Sequence, residues 1–142
     1  MNVFLADDDE DDRLFFEEAL REVCKKSLLV MAENGERLMD LLRDIHNPTP
    51  DVLFLDLNMP KKNGYECLDE IRREEKLRRI PIVIFTTSQQ EDSINRVYEQ
   101  GAHFYIRKPN DFGQLKSVVR KALSIDWSQH KQPEKERFIL IP

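Results

Sequence analysis

The 142-residue sequence is 40% hydrophobic and 35% charged, a balance that suits one domain with a buried core and excludes a chain too polar to fold. Its 22 Lys and Arg against 27 Asp and Glu give a net charge of −5, so no overall basic surface advertises nucleic acid, and a protein or a small ligand is the expected partner. Residues 1 to 30 lack a basic start followed by an apolar core, and no apolar run approaches the roughly 20 residues that cross a bilayer, so the expected location is cytoplasmic.

In chain order, Val3-Phe4-Leu5-Ala6 is a short apolar run of strand composition, followed at once by six acids, Asp7 to Asp12. From Phe16 the spacing Phe16, Ala19, Leu20, Val23 marks one face of a helix. Leu28 to Ala32 reads as the second strand, and Leu38, Leu41, Leu42 and Ile45 as the next helical stripe, stopped by Asn47-Pro48-Thr49-Pro50 because proline lacks a donor and biases its predecessor away from the helix. Val52 to Asp56 is the third strand. It ends on a carboxylate and breaks at Asn58 and Pro60 into a loop reaching Gly64. Gly64, Cys67, Leu68 and Ile71 then give an amphipathic helix whose outer face runs on as Arg72-Arg73-Glu74-Glu75-Lys76. Pro81 to Thr86 is the fourth strand, and Ser88-Gln89-Gln90-Glu91 reads as a capping box opening a helix with Ile94, Val97 and Tyr98 inside. Gly101 suits that helix's left-handed end. His103 to Arg107, less apolar and so expected at an edge, is the fifth strand. Phe112, Leu115, Val119 and Ala122 make the last helix, and a tail begins near Asp126. Cys24 and Cys67 lack CxxC spacing and read as buried thiols.

Five strands alternating with five helices require crossover connections, which predicts an α/β fold with a parallel sheet covered on both faces. In such sheets ligands bind beyond the carboxyl ends of the strands, where this sequence puts Asp7 and Asp8, Asp56, Thr86 and Lys108. Carboxylates brought together raise one another's pKa, a cost that a divalent cation removes. Mg²⁺ suits hard oxygen ligands and leaves positions a phosphoryl group can share. Lys108 adds a compact cation and Thr86 a hydroxyl donor. The set matches phosphoryl transfer to a carboxylate, with Asp56 as nucleophile. Each part also has a plainer reading: Thr86 as a β-branched strand residue, Lys108 as a surface lysine, Asp56 as a turn cap. Asp9, Glu10, Asp11 and Asp12 are read as a helix N-terminus favoured by the macrodipole.

The pattern Phe4-Leu5-Ala6-Asp7-Asp8, Leu53 to Pro60 with Gly64, Ile84-Phe85-Thr86-Thr87 and Tyr105 to Pro109 resembles the receiver domain of two-component response regulators over about residues 1 to 125. Leu57-Asn58-Met59-Pro60 with Thr86-Thr87-Ser88 also resembles stand-alone regulators that partner phytochrome-type sensor kinases. The resemblance implies a flavodoxin-like (βα)5 fold of strand order 2-1-3-4-5. It implies Asp56 as phosphoacceptor and Asp8 as direct Mg²⁺ ligand, with Asp7 acting mainly through metal-bound water and Asn58 through its backbone carbonyl. Thr86 and Lys108 would bind phosphoryl oxygens, Tyr105 would move inward as Thr86 shifts, and the Lys108-Pro109 bond would be cis. Asn58 and Ser88 fall where the family tunes phosphate lifetime. The implied output surface is the fourth helix, fifth strand and fifth helix.

A haloacid-dehalogenase-like phosphatase also uses an aspartyl nucleophile, Mg²⁺, Lys and Thr, but needs Asp-x-Asp; Asp56-Leu57-Asn58 puts in the second place an amide that cannot shuttle protons. A receiver-shaped scaffold that works without phosphorylation is disfavoured by the intact acceptor, metal and lysine positions. His46, His103 and His130 share no motif, so the phosphodonor histidine is expected on a partner kinase or phosphotransfer protein, and output through a separate chain, since no DNA-binding or other effector domain is expected here. The tail, residues 126–142, runs through a polar stretch to Phe138-Ile139-Leu140-Ile141-Pro142. Exposed apolar residues in β-prone sequence are a liability, so the tail is expected to dock on this domain or on a second copy as a homodimer.

Overall fold

The computed structural model describes residues 1–129 and 131–142; His130, read above as no phosphodonor, lies outside the described residues. Five parallel strands, β1 (Asn2–Ala6), β2 (Leu28–Ala32), β3 (Val52–Leu55), β4 (Ile82–Thr86) and β5 (Phe104–Arg107), stand in the order β2-β1-β3-β4-β5. They alternate with α1 (Glu10–Val23), α2 (Gly35–Arg43), α3 (Gly64–Arg73), α4 (Glu91–Glu99) and α5 (Phe112–Leu123). The expected doubly covered sheet and its order are therefore present, with β5 at an edge as its mixed composition predicted.

Side-chain alternation along each strand divides the core in two. Val3, Leu5, Val52, Phe54, Val83, Phe85 and Ile106 pack with Phe16, Ala19, Leu115 and Val119 on the α1 and α5 face. Phe4, Ala6, Leu53, Leu55, Ile82, Ile84 and Tyr105 pack with Leu38, Met39, Leu68, Ile71 and Val97 on the opposite face. Every residue of β3 is fully buried, as expected of a central parallel strand whose sequence shows no polar alternation.

Local signals set most boundaries, and three sequence expectations fail. Cys24, read as a buried thiol, is only half-buried, because α1 ends at Val23 and leaves it as the C-cap. Ser88 and Glu91 do not form a capping box: α4 starts at Glu91 with Gln90 as its cap and no side-chain cap bond, while the Ser88 hydroxyl accepts only a long 3.4 Å contact from the Gln90 N–H. A capping box does occur at α3, where Asn63 and Glu66 exchange side-chain and backbone bonds of 2.9 and 3.0 Å. Ile45, read as part of the α2 stripe, is 87% exposed because α2 ends at Arg43. The Asn47 side chain donates to Leu41 O at 3.1 Å and turns the chain there. Gly101, with φ of 93°, takes the left-handed turn anticipated after α4.

The tail docks on its own domain. Tyr105 donates its N–H to Phe138 O and accepts at its own carbonyl from Leu140 N–H, both at 2.9 Å, a parallel bridge centred on Ile139 that covers the free edge of β5. Phe138 is fully buried against Tyr98 and Tyr105, with ring centroids 5.0 and 6.1 Å away. Gln132 and Pro133 fasten the polar stretch, the former donating to Tyr98 O and Ala102 O, the latter accepting from the Tyr98 hydroxyl at 2.8 Å. Truncating Phe138 to Ala is expected to cost about 3 kcal/mol and to lower the melting temperature. Unfolding of Phe138→Ala at the wild-type midpoint would show that the contact does not anchor the tail.

Candidate functional site

Three backbone bonds carry the sheet ladder one residue past its strands and fix the chemistry-bearing side chains. Asp7 N–H donates to Ala32 O at 3.0 Å, Asp56 N–H to Ala6 O at 3.0 Å, and Lys108 N–H to Thr86 O at 2.8 Å. Asp7 and Asp56 thus leave neighbouring strands at the same edge, and Lys108 leaves β5 beside Thr86. Behind Asp56 the loop folds back so closely that a Cβ on Gly64 would lie 2.3 Å from Asp56 O. Gly64 N–H closes the loop by donating to Leu57 O at 3.0 Å. Only glycine fits that approach.

The Lys108 ammonium is the centre of the site. Its Nζ lies 2.8 Å from Asp7 Oδ2, 2.9 Å from Asp56 Oδ2 and 2.9 Å from Asp12 Oδ2, with the Phe85 ring 5.8 Å away. Asp7 and Asp56 are buried, at 0% and 4% exposure, whereas Asp8 is exposed. Asp7, Asp8 and Asp56 each offer one oxygen, and these lie within 4.8 Å of one another. Asp9 N–H donates to Asp7 Oδ1 at 3.0 Å, and Asn58 N–H to Asp56 Oδ1 at 3.3 Å. The Thr86 hydroxyl is fully buried and has no hydrogen-bond partner among the described residues. It sits on the α4 face, in the alternation of Ile82 and Ile84.

Electrostatics follow from burial and crowding. Loss of solvent pushes the Asp7 carboxyl up to about 6, against the opposing pull of Lys108 and the Asp9 N–H. Burial would lower the Lys108 pKa, but Asp7, Asp56 and Asp12 outweigh it and hold the ammonium charged. Carboxylate oxygens with one ammonium among them, and no sulfur or imidazole ligand, fit a hard divalent cation.

The structure brings together Asp7, Asp8, Asp56 and Lys108 as the sequence led one to expect, with Thr86 at the adjoining strand end. Tyr105 already points inward, 1% exposed, its hydroxyl donating to Ser88 O at 2.5 Å. The cis Lys108-Pro109 bond implied by resemblance is not present: the bond is trans, the isomer that X-Pro amides favour by about 0.5–1 kcal/mol, and Lys108 reaches its three carboxylates from it. Asp12 lies in the first turn of α1, as assigned, and its side chain also reaches Lys108 in the site. Asp9 is the true cap, its side chain accepting from Asp12 N–H at 3.0 Å. No local signal marks that second role, because Lys108 lies 96 residues further along the chain.

Comparison with known proteins places the chain in one family and agrees with its fold. Residues 3–120 match the model of the response regulator receiver domain. The chain is 30% identical over 137 residues to the probable methanogenesis regulatory protein FilR2 of Methanothrix harundinacea, covering 92% of this chain and 88% of that one. It is 32% identical over 122 residues to response regulator Rcp1 of Synechocystis, covering 83% of each. The crystal structure of Mn²⁺-bound Rcp1 superposes with a TM-score of 0.79 over 94% of this chain and 99% of that one. That of the phosphorylated cyanobacterial phytochrome response regulator RcpA, 33% identical, superposes at 0.82 over 94% and 98%.

An acid whose pKa is raised by folding stabilises the fold when protonated, and that contribution is lost as pH rises through the folded value. Without divalent cations, Asp7→Asn and wild type should therefore unfold alike near pH 4. By pH 8 the variant should be the more stable by about 3 kcal/mol. Urea unfolding across that range checks it, and a constant difference would contradict the assigned cost of the buried charge.

Proposed function

This chain belongs to the response regulator receiver domain family, and from that we propose that it accepts a phosphoryl group on Asp56 from a partner sensor histidine kinase or His phosphotransfer protein. Receiver domains are signalling domains of two-component systems rather than enzymes in their own right. The observation that carries the reading is the Lys108 ammonium shared by Asp7 and Asp56 beside a buried Thr86 hydroxyl that has no partner among the described residues.

In the step, an Asp56 carboxylate oxygen attacks phosphorus, and the bond from phosphorus to the donor's leaving atom breaks with its electron pair going to that atom. Lys108 and the Thr86 hydroxyl donate to phosphoryl oxygens, which gives the orphaned hydroxyl a partner. Asp7, Asp8, Asp56 and the Asn58 backbone carbonyl would hold Mg²⁺, which supplies neutralisation of the charge gathered by acceptor and donor. Asn58 stands where a phosphatase of the same nucleophile class needs a carboxylate, so the acyl phosphate persists as a signal.

The readout we propose is repacking of α4, β5 and α5. Thr86 and Tyr105 share the α4 face of the sheet, and Tyr105 is tied to Ser88 O in the β4–α4 loop. A Thr86 hydroxyl drawn toward the phosphoryl group would pull on that loop, and Tyr105 would transmit the change to β5. The likeness to Rcp1 and RcpA supports a phytochrome-type kinase as donor, a cytoplasmic setting, and a separate output protein. Residues 1 to 125 act as the receiver unit and 126 to 142 as a docking tail. Pairing of two copies belongs to the same proposal, because Ile139 and Ile141 stay 47% and 68% exposed on the docked tail.

Acetyl phosphate with Mg²⁺ should add the mass of one phosphoryl group to the wild type and none to Asp56→Asn, read by intact mass spectrometry. Equal labelling of both, or of neither, would sink the reading.

A further inference from the structure

Asp12 lies outside the three-oxygen group formed by Asp7, Asp8 and Asp56, yet its carboxylate is as close to Lys108 Nζ as that of Asp56, 2.9 Å in each case. Its side chain is 40% exposed while those of Asp7 and Asp56 are 0% and 6%, so it forms the outer wall of the site. We propose that Asp12 is a positioning residue for phosphoryl transfer: a rim carboxylate that keeps Lys108 aimed at Asp56 once the buried carboxylates are engaged elsewhere. The inference rests on the assignment of Asp56 as phosphoacceptor.

An ammonium has three N–H donors, and here three carboxylates surround it. The Asp7 and Asp56 oxygens that contact Lys108 belong to the residues suited to a divalent cation. Were a cation to draw these carboxylates away, Lys108 would lose two of its three partners as it donates to the incoming phosphoryl group. A free lysine side chain carries considerable rotamer entropy and a strongly hydrated head, and would turn toward water. Asp12 prevents this. It is anchored in the first turn of α1, where its N–H is bonded to Asp9 Oδ1 at 3.0 Å, and the Arg13 guanidinium ties the same turn to Asp7 O at 2.9 Å. One Lys108 donor thus stays on Asp12, and two remain for phosphoryl oxygens. The rest of the acidic run serves the helix itself, since Asp9 caps it and Glu10 and Asp11 lie in its first turn.

The test follows labelling of Asp56 by acetyl phosphate at saturating Mg²⁺ in wild type, Asp12→Asn, Asp12→Glu, Lys108→Ala and the double variant Asp12→Asn/Lys108→Ala. Asp12→Asn should slow the maximal rate about fivefold to tenfold, less than a buried charge-assisted hydrogen bond is worth because the Asp12 carboxylate is part-exposed at the rim. Half-saturation by acetyl phosphate and the Mg²⁺ dissociation constant should stay unchanged, and Asp12→Glu should recover part of the rate. In the Lys108→Ala background the Asp12 substitution should have no further effect, because it acts through that lysine. NMR of the lysine ammonium groups with Mg²⁺ bound gives a readout independent of labelling: a protected Lys108 signal in wild type, lost in Asp12→Asn. Wild-type labelling with an unaltered rate in Asp12→Asn overturns this inference alone, as does a full-sized effect without Lys108. Faster labelling would show that Asp12 repels the donor, and a weaker Mg²⁺ affinity would make it a metal-site residue; either rejects the positioning role. Absence of labelling in the wild type would remove both this inference and the acceptor assignment beneath it.

Discussion

One ammonium among three carboxylates is the constraint on which this site depends. Asp7 and Asp56 are carried to neighbouring positions by ladder bonds that belong to the sheet itself, so the fold cannot relax their repulsion by moving them apart. Lys108 is brought from the other side by the same device. The cost of burying Asp7 is therefore built into the topology. A cation that binds there relieves a stress already present rather than creating order in a loose loop.

The two-faced core decides how a change at that edge is distributed. Lys108 leans over Phe85, which packs on the α1 and α5 face, whereas Thr86 and Tyr105 follow the opposite alternation toward α4. Consecutive residues of one strand end thus address different layers. A group bound between Lys108 and Thr86 would engage both layers at once, and would so give a local charge event access to a whole helical face.

Much of this was legible in the sequence because each feature had a local cause. Strand runs, the breaks at Pro48 and Pro50, Gly101, and acids at strand ends all act within a few residues. Failures came where a distant or competing partner decided. Ser88 and Glu91 have the spacing of a capping box, but the helix begins at Glu91 with Gln90 as its cap, two residues past Ser88, whose carbonyl is tied instead to the Tyr105 hydroxyl. Asp12 looked like one more helix-start acid because its partner lies 96 residues away. The tail was recognisable as needing cover. That its cover would be β5, through a bridge to Tyr105, is a tertiary fact that no window of sequence contains.

The tail also places the chain's single tryptophan. Trp127 stands edge-on to His103 and Phe104, with ring centroids 5.7 and 5.8 Å away, just before β5 and at its first residue. Indole emission depends on the polarity and the quenching groups around the ring, and here these come from the strand that bears Tyr105. The molecule therefore carries an optical probe at the root of its tail, and its fluorescence would be set by one environment with no second indole to obscure it.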